Sequence, residues 1–323
     1  MNTLTVNKTE VGLSIIVVNW NTRELLHQCL RSIYDTTRQT RFEIWVIDND
    51  STDGSAEMVA REFSQVHLVR NNANLGFAKA NNIGIQDSRG RYVCLINSDV
   101  KVLDGSLDRL FEYLEQNPKT ALAGPRLLNP DRSLQISCYG FPSVWNTFCY
   151  AMGLDQLFPR SNRFGGLYRK YWPYDRVRAV EVISGCFAVV RREAIALVGS
   201  LDEMFFMYME DFDWCKRFHM AGWQVVYFPR AEAVHVGGGS SSASSAKYWI
   251  ERNRSLLLYW QKHHGRVGRM YAAGMMLIRQ VLRAIAGLLR YIVKPSAKLE
   301  IVLKLKESMA SIHGLLNSHT SKS

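Results

Sequence analysis

Three polar clusters hold most of the side chains here that could do chemistry. Residues 42–55, FEIWVIDNDSTDGS, end an apolar run in Asp48, Asn49, Asp50 and Asp53. Residues 92–102, YVCLINSDVKV, are apolar from Val93 to Ile96 and then deliver Asn97, Ser98 and Asp99. Residues 205–223, FFMYMEDFDWCKRFHMAGW, bring Glu210, Asp211 and Asp213 together. A carboxylate at the end of a core strand has two readings. Asn, Ser and Asp are ordinary turn formers, yet open α/β sheets bind ligands just outside the carboxyl ends of their strands. In the ligand reading Asp99 is placed to hold a divalent cation, because Mg²⁺ and Mn²⁺ favour one or two carboxylates plus substrate phosphate oxygens. The Glu210 cluster, taken alone, is an acidic first helical turn favoured by the helix dipole.

The elements around these clusters decide between the readings. LSIIVVNWN (residues 13–21) is a short, β-branched apolar run, and residues 23–35 place Leu25, Leu26, Cys29, Leu30 and Ile33 at helical spacing. A strand into Asp48, the helix AEMVAREF, the strand VHLVRN, a loop and helix in NLGFAKANNIGIQDS, and the strand YVCLINSDV follow. Strands alternating with helices at this spacing predict a doubly wound, largely parallel sheet. Polar residues gather at successive strand ends: Asn19 and Asn21, Asp48 to Asp53, Asn71, and Asn97 to Asp99. Four such ends in order outline one rim of a sheet, which favours a site over a set of turns. NWNTRE after Val18 lacks the glycines of a dinucleotide-binding loop, and no G-x-x-x-x-G-K-[ST] occurs, so neither NAD nor a P-loop nucleotide is expected.

Bulk properties narrow the setting. The chain has 323 residues, 47% of them hydrophobic, enough for a substantial core. Six cysteines without a C-x-x-C pair suggest a reducing compartment without disulfides or structural zinc. The polar N-terminus lacks the layout of a signal peptide, and no run of about 18 or more uncharged apolar residues predicts a membrane span. The formal charge of +11 is uneven: residues 262–323 hold eleven Lys and Arg against Glu300 and Glu307. With the excess confined to the tail and no nucleic-acid motif, no nucleic-acid partner is expected. Arg269, Arg279, Arg283, Arg290 and Lys294 fall on one side of a helix whose remaining face is apolar, as suits a basic amphipathic helix lying on an anionic membrane; an ordinary packed helix with a solvated stripe is the plainer reading. GGGSSSASSAKYW (residues 237–249) has linker composition, readable as a spacer or as a lid that orders over a bound donor.

SIIVVNWN, VIDNDSTDGS, NNANLGFAKANNIGI, LINSDV, ISGCFAVVRREA, FFMYMEDFDWCKR and AVHVGGGSS, in this order, resemble the inverting family 2 glycosyltransferases, specifically the rhamnosyltransferase-like enzymes of bacterial surface polysaccharide assembly. The resemblance covers about residues 12–262. It implies a GT-A fold, with a nucleotide-binding half over about 12–125, an acceptor half over about 126–262, and the helical tail over 263–323. The family's metal motif, usually Asp-x-Asp, stands here as Asn97-Ser98-Asp99. Asp99 is carried over as metal ligand with His235 as a second, and Mg²⁺ or Mn²⁺ is the implied cofactor. Donor contacts are expected from Asn19, Trp20, Asn21, Asp48, Asn49, Asn74, Gly76, Phe77, Asn81, Asn97, Ser98, Asp99 and Arg252. Asp50 stands where the family commonly has Gly.

The Glu-Asp-x-Asp pattern implies Asp211 as the general base, taking the acceptor proton as that hydroxyl attacks the anomeric carbon, with Glu210 orienting the acceptor and Asp213 structural. Ser184-Gly185 would let backbone approach a sugar, and the aromatic, basic residues 138–178 would hold acceptor specificity. The implied reaction uses a nucleotide-diphospho-sugar, most plausibly dTDP-L-rhamnose, and a polyprenyl-diphosphate-linked glycan at the cytoplasmic face of the membrane. A UDP-hexose donor and a sugar-nucleotide-binding module without turnover are the alternatives.

Overall fold

The structure is a computed structural model; it describes residues 11–169, 171–237 and 246–293. In chain order the elements are β1 (Leu13–Asn19), α1 (Arg23–Thr36), β2 (Phe42–Asp48), α2 (Ser55–Glu62), β3 (His67–Arg70), α3 (Phe77–Asp87), β4 (Tyr92–Asn97), β5 (Val100–Val102), α4 (Ser106–Gln116) and β6 (Thr120–Leu128). There follow β7 (Leu134–Gln135), β8 (Cys138–Tyr139), α5 (Val144–Ala151), α6 (Leu154–Leu157), β9 (Arg178–Ala179), β10 (Val182–Ile183), β11 (Phe187–Arg191), α7 (Arg192–Val198), α8 (Glu210–Met220), β12 (Gln224–His235) and α9 (Ala246–Val293).

The chain forms two compact units. The first comprises Met1–Cys138, Tyr174–Glu203 and Glu210–Ser240; the second comprises Tyr139–Pro173, Met204–Met209 and Ser241–Ser323. The expected boundaries near 125 and 262 were contiguous in sequence, whereas the second unit is assembled from three separate stretches.

The first unit is built on one sheet in the order β3-β2-β1-β4-β11-β6-β12-β5, with β7 beside β6 and β9 beside β12. β3, β2, β1 and β4 run parallel, as do β6 and β12, while β11 and β5 are antiparallel to their neighbours. The sheet is thus the mixed, mostly parallel sheet of a doubly wound α/β domain. Central parallel strands are covered on both faces and read as apolar runs; β4 does so with Val93 to Ile96 buried, and β1 with Leu13, Ile15, Ile16 and Val17 buried, interrupted by Ser14, which donates to Glu43 Oε1 at 2.6 Å. α1 buries Leu26, Cys29, Leu30 and Ile33 at helical spacing. Each such aliphatic burial contributes about 1.5–3 kcal/mol. The register places Asn19 opposite Asp48 and Val18 opposite Asn97, which brings three strand ends to one rim.

In the second unit, α9 packs against α5. α9 is broken once, at Gly265, whose φ of 67° is not helical. The expected C-terminal helix is present, but its exposure does not follow a basic stripe opposite a buried apolar face: Arg279 is buried, and Met270, Leu277, Val281 and Ile285 are exposed. Arg290 and Lys294, like most of the 237–249 segment read as a lid, fall outside the described side chains. Among the described residues no helix is long and apolar enough to cross a membrane.

Candidate active site

At the rim of the first unit a hydrogen-bonded lattice joins the strand ends. Asn19 Nδ2 donates to Asp48 Oδ1 at 2.9 Å and to Ser51 Oγ at 3.0 Å, and Asn19 Oδ1 accepts from Thr22 Oγ1 at 2.7 Å. Asp48 Oδ2 accepts from the Ser51 amide at 3.0 Å. Both hydrogens of the Asn19 amide are therefore used in holding Asp48 and its turn. Thr22 Oγ1 also lies 2.7 Å from Ser98 Oγ, which ties the end of β1 to the segment after β4. Asn49 donates to Asn74 Oδ1 at 3.3 Å and to the Gly76 carbonyl at 3.2 Å, and accepts from Asn71 at 2.8 Å.

Backbone conformation explains two residue choices. Gly76, at the entry to α3, has φ 83° and ψ 179°, a region open to glycine and strained for other residues. Asp50 has φ 64°; the left-handed conformation suits Gly, and Asp is one of the few other residues that visit it. Trp20 and Asn21 are exposed beyond β1, with Asn21 Oδ1 accepting from the Thr52 amide at 2.7 Å. Asn81 is buried in α3 and its Nδ2 turns back to the Phe77 carbonyl at 2.9 Å.

Asp99 and His235 meet. Antiparallel pairing of β12 with β5 sets His235 opposite Val100, and His235 Nε2 lies 3.2 Å from Asp99 Oδ1. Both side chains are largely buried. Gln135 fixes the imidazole. Its Nε2 donates to Asn129 Oδ1 at 2.9 Å and to the His235 carbonyl at 3.2 Å, so its Oε1, 2.6 Å from Nδ1, accepts from the Nδ1–H. That assignment turns Nε2 toward Asp99, the arrangement in which an outer partner orients a metal-ligating histidine. Two cis ligands of an octahedral Mg²⁺, each at about 2.1 Å, are about 3.0 Å apart, close to the separation seen. The Asn97 Oδ1 atom, two residues before Asp99, is buried without a hydrogen-bond partner among the described residues. The oxygen donors suit Mg²⁺ or Mn²⁺, and the imidazole favours Mn²⁺, the softer of the two. Among the described residues no third His, Cys, Asp or Glu joins them, so further coordination would fall to substrate or water.

Asp211 lies at the start of α8, where Tyr208 and Met209 approach with φ near 70°. Asp211 Oδ2 accepts from the Gly185 amide at 3.0 Å and Oδ1 from the Phe212 amide at 2.9 Å. Burial pushes its carboxyl above the ordinary range, and these backbone donors offset only part of the rise. A carboxyl raised in this way is better matched to proton transfer near neutral pH. Glu210 is buried beside it, and the two share a small pocket with Phe77, Leu95, Gly185 and Trp214. Asp213 is fully buried and pairs with Arg217 Nε at 2.8 Å. Arg217 also donates to the carbonyls of Val198, Gly199 and Ser200, so Asp213 anchors α8 to the end of α7.

Adjacent backbone groups reach the Asp211 carboxylate and the segment that carries Asp99. Gly185 N holds Asp211, and the Cys186 carbonyl accepts from Asn97 N at 2.8 Å. Cys186, buried between them, is pushed up to about 12 by burial, with Asp99 and Asp211 adding to the rise. The segment between β10 and β11 thus meets both the Asp211 side chain and the end of β4, and a Cβ at residue 185 would stand 3.3 Å from Asp211 Cβ. Arg252 belongs to the second unit, where it donates to the Tyr168 hydroxyl at 3.4 Å. Gln135, Thr22 and Ser51 carry structural work at the site that the sequence did not single out. Gln135 in particular lies 100 positions from its partner His235.

The sequence pattern of "Glycosyl transferase family 2" matches residues 14–197. The chain is 30% identical over 263 residues to the N-acetylglucosaminyl-diphospho-decaprenol L-rhamnosyltransferase of Mycobacterium tuberculosis, a match covering 78% of this chain and 85% of that one. Among solved structures, the fold is similar to a mannosyltransferase from Pyrobaculum calidifontis in complex with GDP-Man and Mn²⁺, with a TM-score of 0.57 and 16% identity, over 97% of this chain and 88% of that one. It is similar also to GalNAc-T7 with UDP, GalNAc and Mn²⁺, with a TM-score of 0.57 and 14% identity, over 98% of this chain and 59% of that one.

Proposed function

This chain belongs to glycosyl transferase family 2 and is a glycosyltransferase, and from that premise we propose that it transfers L-rhamnose from dTDP-L-rhamnose, with inversion, to a polyprenyl-diphosphate-linked glycan. The observation that carries the reading is the pairing of Asp211, held by Gly185 N, with the Asp99–His235 pair, held to the same segment between β10 and β11 through Asn97 and Cys186. The relative that acts on a decaprenol-linked N-acetylglucosamine supports the sugar and the acceptor class.

In this reading Asp48 and Asn49 bind the nucleoside, and Asn19 and Asn74 hold them in place. Asp99 and His235 would hold Mg²⁺ or Mn²⁺, which would supply Lewis-acid stabilisation of the leaving diphosphate. Gln135 keeps the His235 Nε2 lone pair directed at that position. Asp211 Oδ accepts the proton of the acceptor hydroxyl as its oxygen attacks the anomeric carbon from the face opposite the diphosphate. Glu210 and Phe77 bound the pocket in which that hydroxyl is oriented. The enzyme works at the inner face of the cell membrane, held peripherally through α9 and the basic residues beyond it.

Thermal stability measured against a panel of nucleotide sugars, with and without Mn²⁺, tests the donor site. A metal-dependent rise with dTDP-L-rhamnose in the wild type, lost in Asp99→Ala, is expected. A rise with a UDP-hexose alone would replace the donor, and no rise with any nucleotide sugar would remove the site. Sedimentation with anionic vesicles, strong at low salt and weakened as salt screens the charges, tests the membrane attachment; equal sedimentation with neutral vesicles at high salt would contradict it.

A further inference from the structure

In the second unit, α9 lays guanidinium groups against aromatic rings. Arg279, 9% exposed, sits 3.6 Å over the Tyr150 ring and donates through Nη1 to the Tyr150 carbonyl. Arg252 donates to the Tyr168 hydroxyl at 3.4 Å, and Arg252 and Tyr168 both hydrogen-bond the Tyr150 side chain. Arg252 and Arg283 lie 5.4 Å and 6.0 Å from the Trp249 ring. Asp155 is the carboxylate beside Arg279, with Oδ1 4.0 Å from Nη1, at the outer limit of an ion pair. Glu251, on the same helix, is engaged with Arg254 and Ser255.

A buried guanidinium needs acceptors in its plane, since an unpaired buried charge is strongly unfavourable. Arg279 Nε is buried with no hydrogen-bond partner among the described residues. Burial raises the Tyr150 hydroxyl, yet Arg252 and Arg279 more than offset it and hold it below the usual phenol range, while burial and the neighbouring Tyr150 push Tyr168 up. α5, which packs on α9, and its neighbours carry exposed apolar side chains: Trp145 and Phe148 from α5, Leu157 from α6, and Leu277, Val281 and Ile285 from α9.

We propose that Arg279 and Arg252, with Tyr150 and Tyr168, form a binding site for the diphosphate of a lipid-linked substrate, whose chain lies along the apolar surface of α5, α6 and α9. Planar guanidinium forks match phosphoryl oxygens two at a time, and two of them suit two phosphoryl groups. The inference rests on the lipid-linked acceptor proposed above. It assigns Arg252, expected from sequence at the donor diphosphate, to the acceptor instead.

Binding of farnesyl diphosphate, inorganic pyrophosphate and dTDP to the full chain tests it, with wild type, Arg279→Gln and Arg279→Lys compared. Farnesyl diphosphate is expected to bind at least 10-fold more tightly than pyrophosphate. Arg279→Gln should weaken it at least 10-fold and Arg279→Lys less, while dTDP binding with Mn²⁺ stays within twofold. Pyrophosphate binding as tightly as the prenyl form would overturn the lipid source. Loss of dTDP binding in a folded Arg279→Gln protein would give the site to the donor and overturn the inference. Should Arg279→Gln not fold, amide exchange on the wild type decides. Farnesyl diphosphate should slow exchange in α5 and around Arg279, and protection confined to the first unit would refute the site. Normal dTDP binding with no farnesyl diphosphate binding would sink this inference alone and leave the transferase reading standing.

Discussion

Gly185→Ala separates the positioning of Asp211 from the stability of the fold. A Cβ at residue 185 would stand 3.3 Å from Asp211 Cβ, 3.6 Å from Phe77 Cε1 and 3.8 Å from Asp211 Oδ2. Carbon atoms rest at about 3.5–4.0 Å, so Phe77 is in ordinary contact while Asp211 must retreat by a few tenths of an ångström. Gly185 does not adopt the left-handed region, so alanine fits its backbone. The narrower unfolded ensemble then contributes about 0.4–1 kcal/mol of stability, against an overpacking cost of about 1 kcal/mol for a contact this small. The net change in stability is therefore within about 1 kcal/mol. Activity behaves differently. A misplacement of 1 Å can cost about 100-fold in rate, and scaling to 0.3–0.5 Å gives a fall in kcat of about 4- to 10-fold. The assay is initial-rate sugar transfer at saturating donor and acceptor, beside a thermal melt and a donor-binding measurement on the same preparation. A lower kcat with an unchanged melt and donor Kd is expected. An unchanged kcat, or a fall that merely tracks unfolding, would refute the view that Gly185 exists to seat Asp211.

Three further outcomes follow from the same geometry. Because burial raises the Asp211 carboxyl, kcat/KM should rise with pH through a limb above the ordinary carboxylate range. Over that interval the folded state binds more protons than the unfolded one, so stability should fall as pH rises; both slopes should vanish in Asp211→Asn, and a persisting acid limb would assign it to another group. Gln135→Ala frees the His235 imidazole and should weaken Mn²⁺ binding about 10- to 100-fold, read by titration of the metal against thermal stability; unchanged affinity would argue against His235 as a ligand. Asp50→Gly should keep or raise stability by up to about 1 kcal/mol, whereas Asp50→Val should lose about 1–2 kcal/mol at φ 64°, checked by denaturant melts; equal effects would show that the backbone conformation is not what selects the residue.

Much of the site was readable because parallel strands are buried on both faces. β1 from Ile15, β2 from Ile44 and β4 throughout are apolar until their last residues, so the polar residues that end each run mark the rim. The Asn19–Asp48 link joins two residues marked in this way, whereas nothing in the sequence marks Thr22, which lies 2.7 Å from Ser98 Oγ. What sequence could not reveal is which distant segments meet. Gln135 has no local pattern that points to His235, and their contact depends on β7 and β12 sharing neighbours in the sheet. The helix from Arg269 shows the same limit. Periodicity identified the residues that share its cationic side, but it could not tell that Arg279 would be covered by Tyr150 while Leu277 and Val281 stayed exposed. Similarly, Asp213 and Asp211 are equivalent as residue types in one acidic turn. The family resemblance separates them, and the structure adds a physical difference: Asp213 pairs with Arg217, whereas Asp211 accepts from the Gly185 amide.

The central claim is that Asp211 is the base of an inverting sugar transfer. Its most direct test is the transfer reaction itself, with dTDP-L-rhamnose, Mn²⁺ and a polyprenyl-diphosphate-linked acceptor, run with wild type and Asp211→Asn. The anomeric configuration of the product is read by NMR, and donor binding is measured alongside. A product inverted relative to the donor is expected, with a loss of about 10²- to 10⁴-fold in kcat in the variant and donor affinity retained. A retained configuration, or an Asp211→Asn enzyme turning over at the wild-type rate, would contradict it.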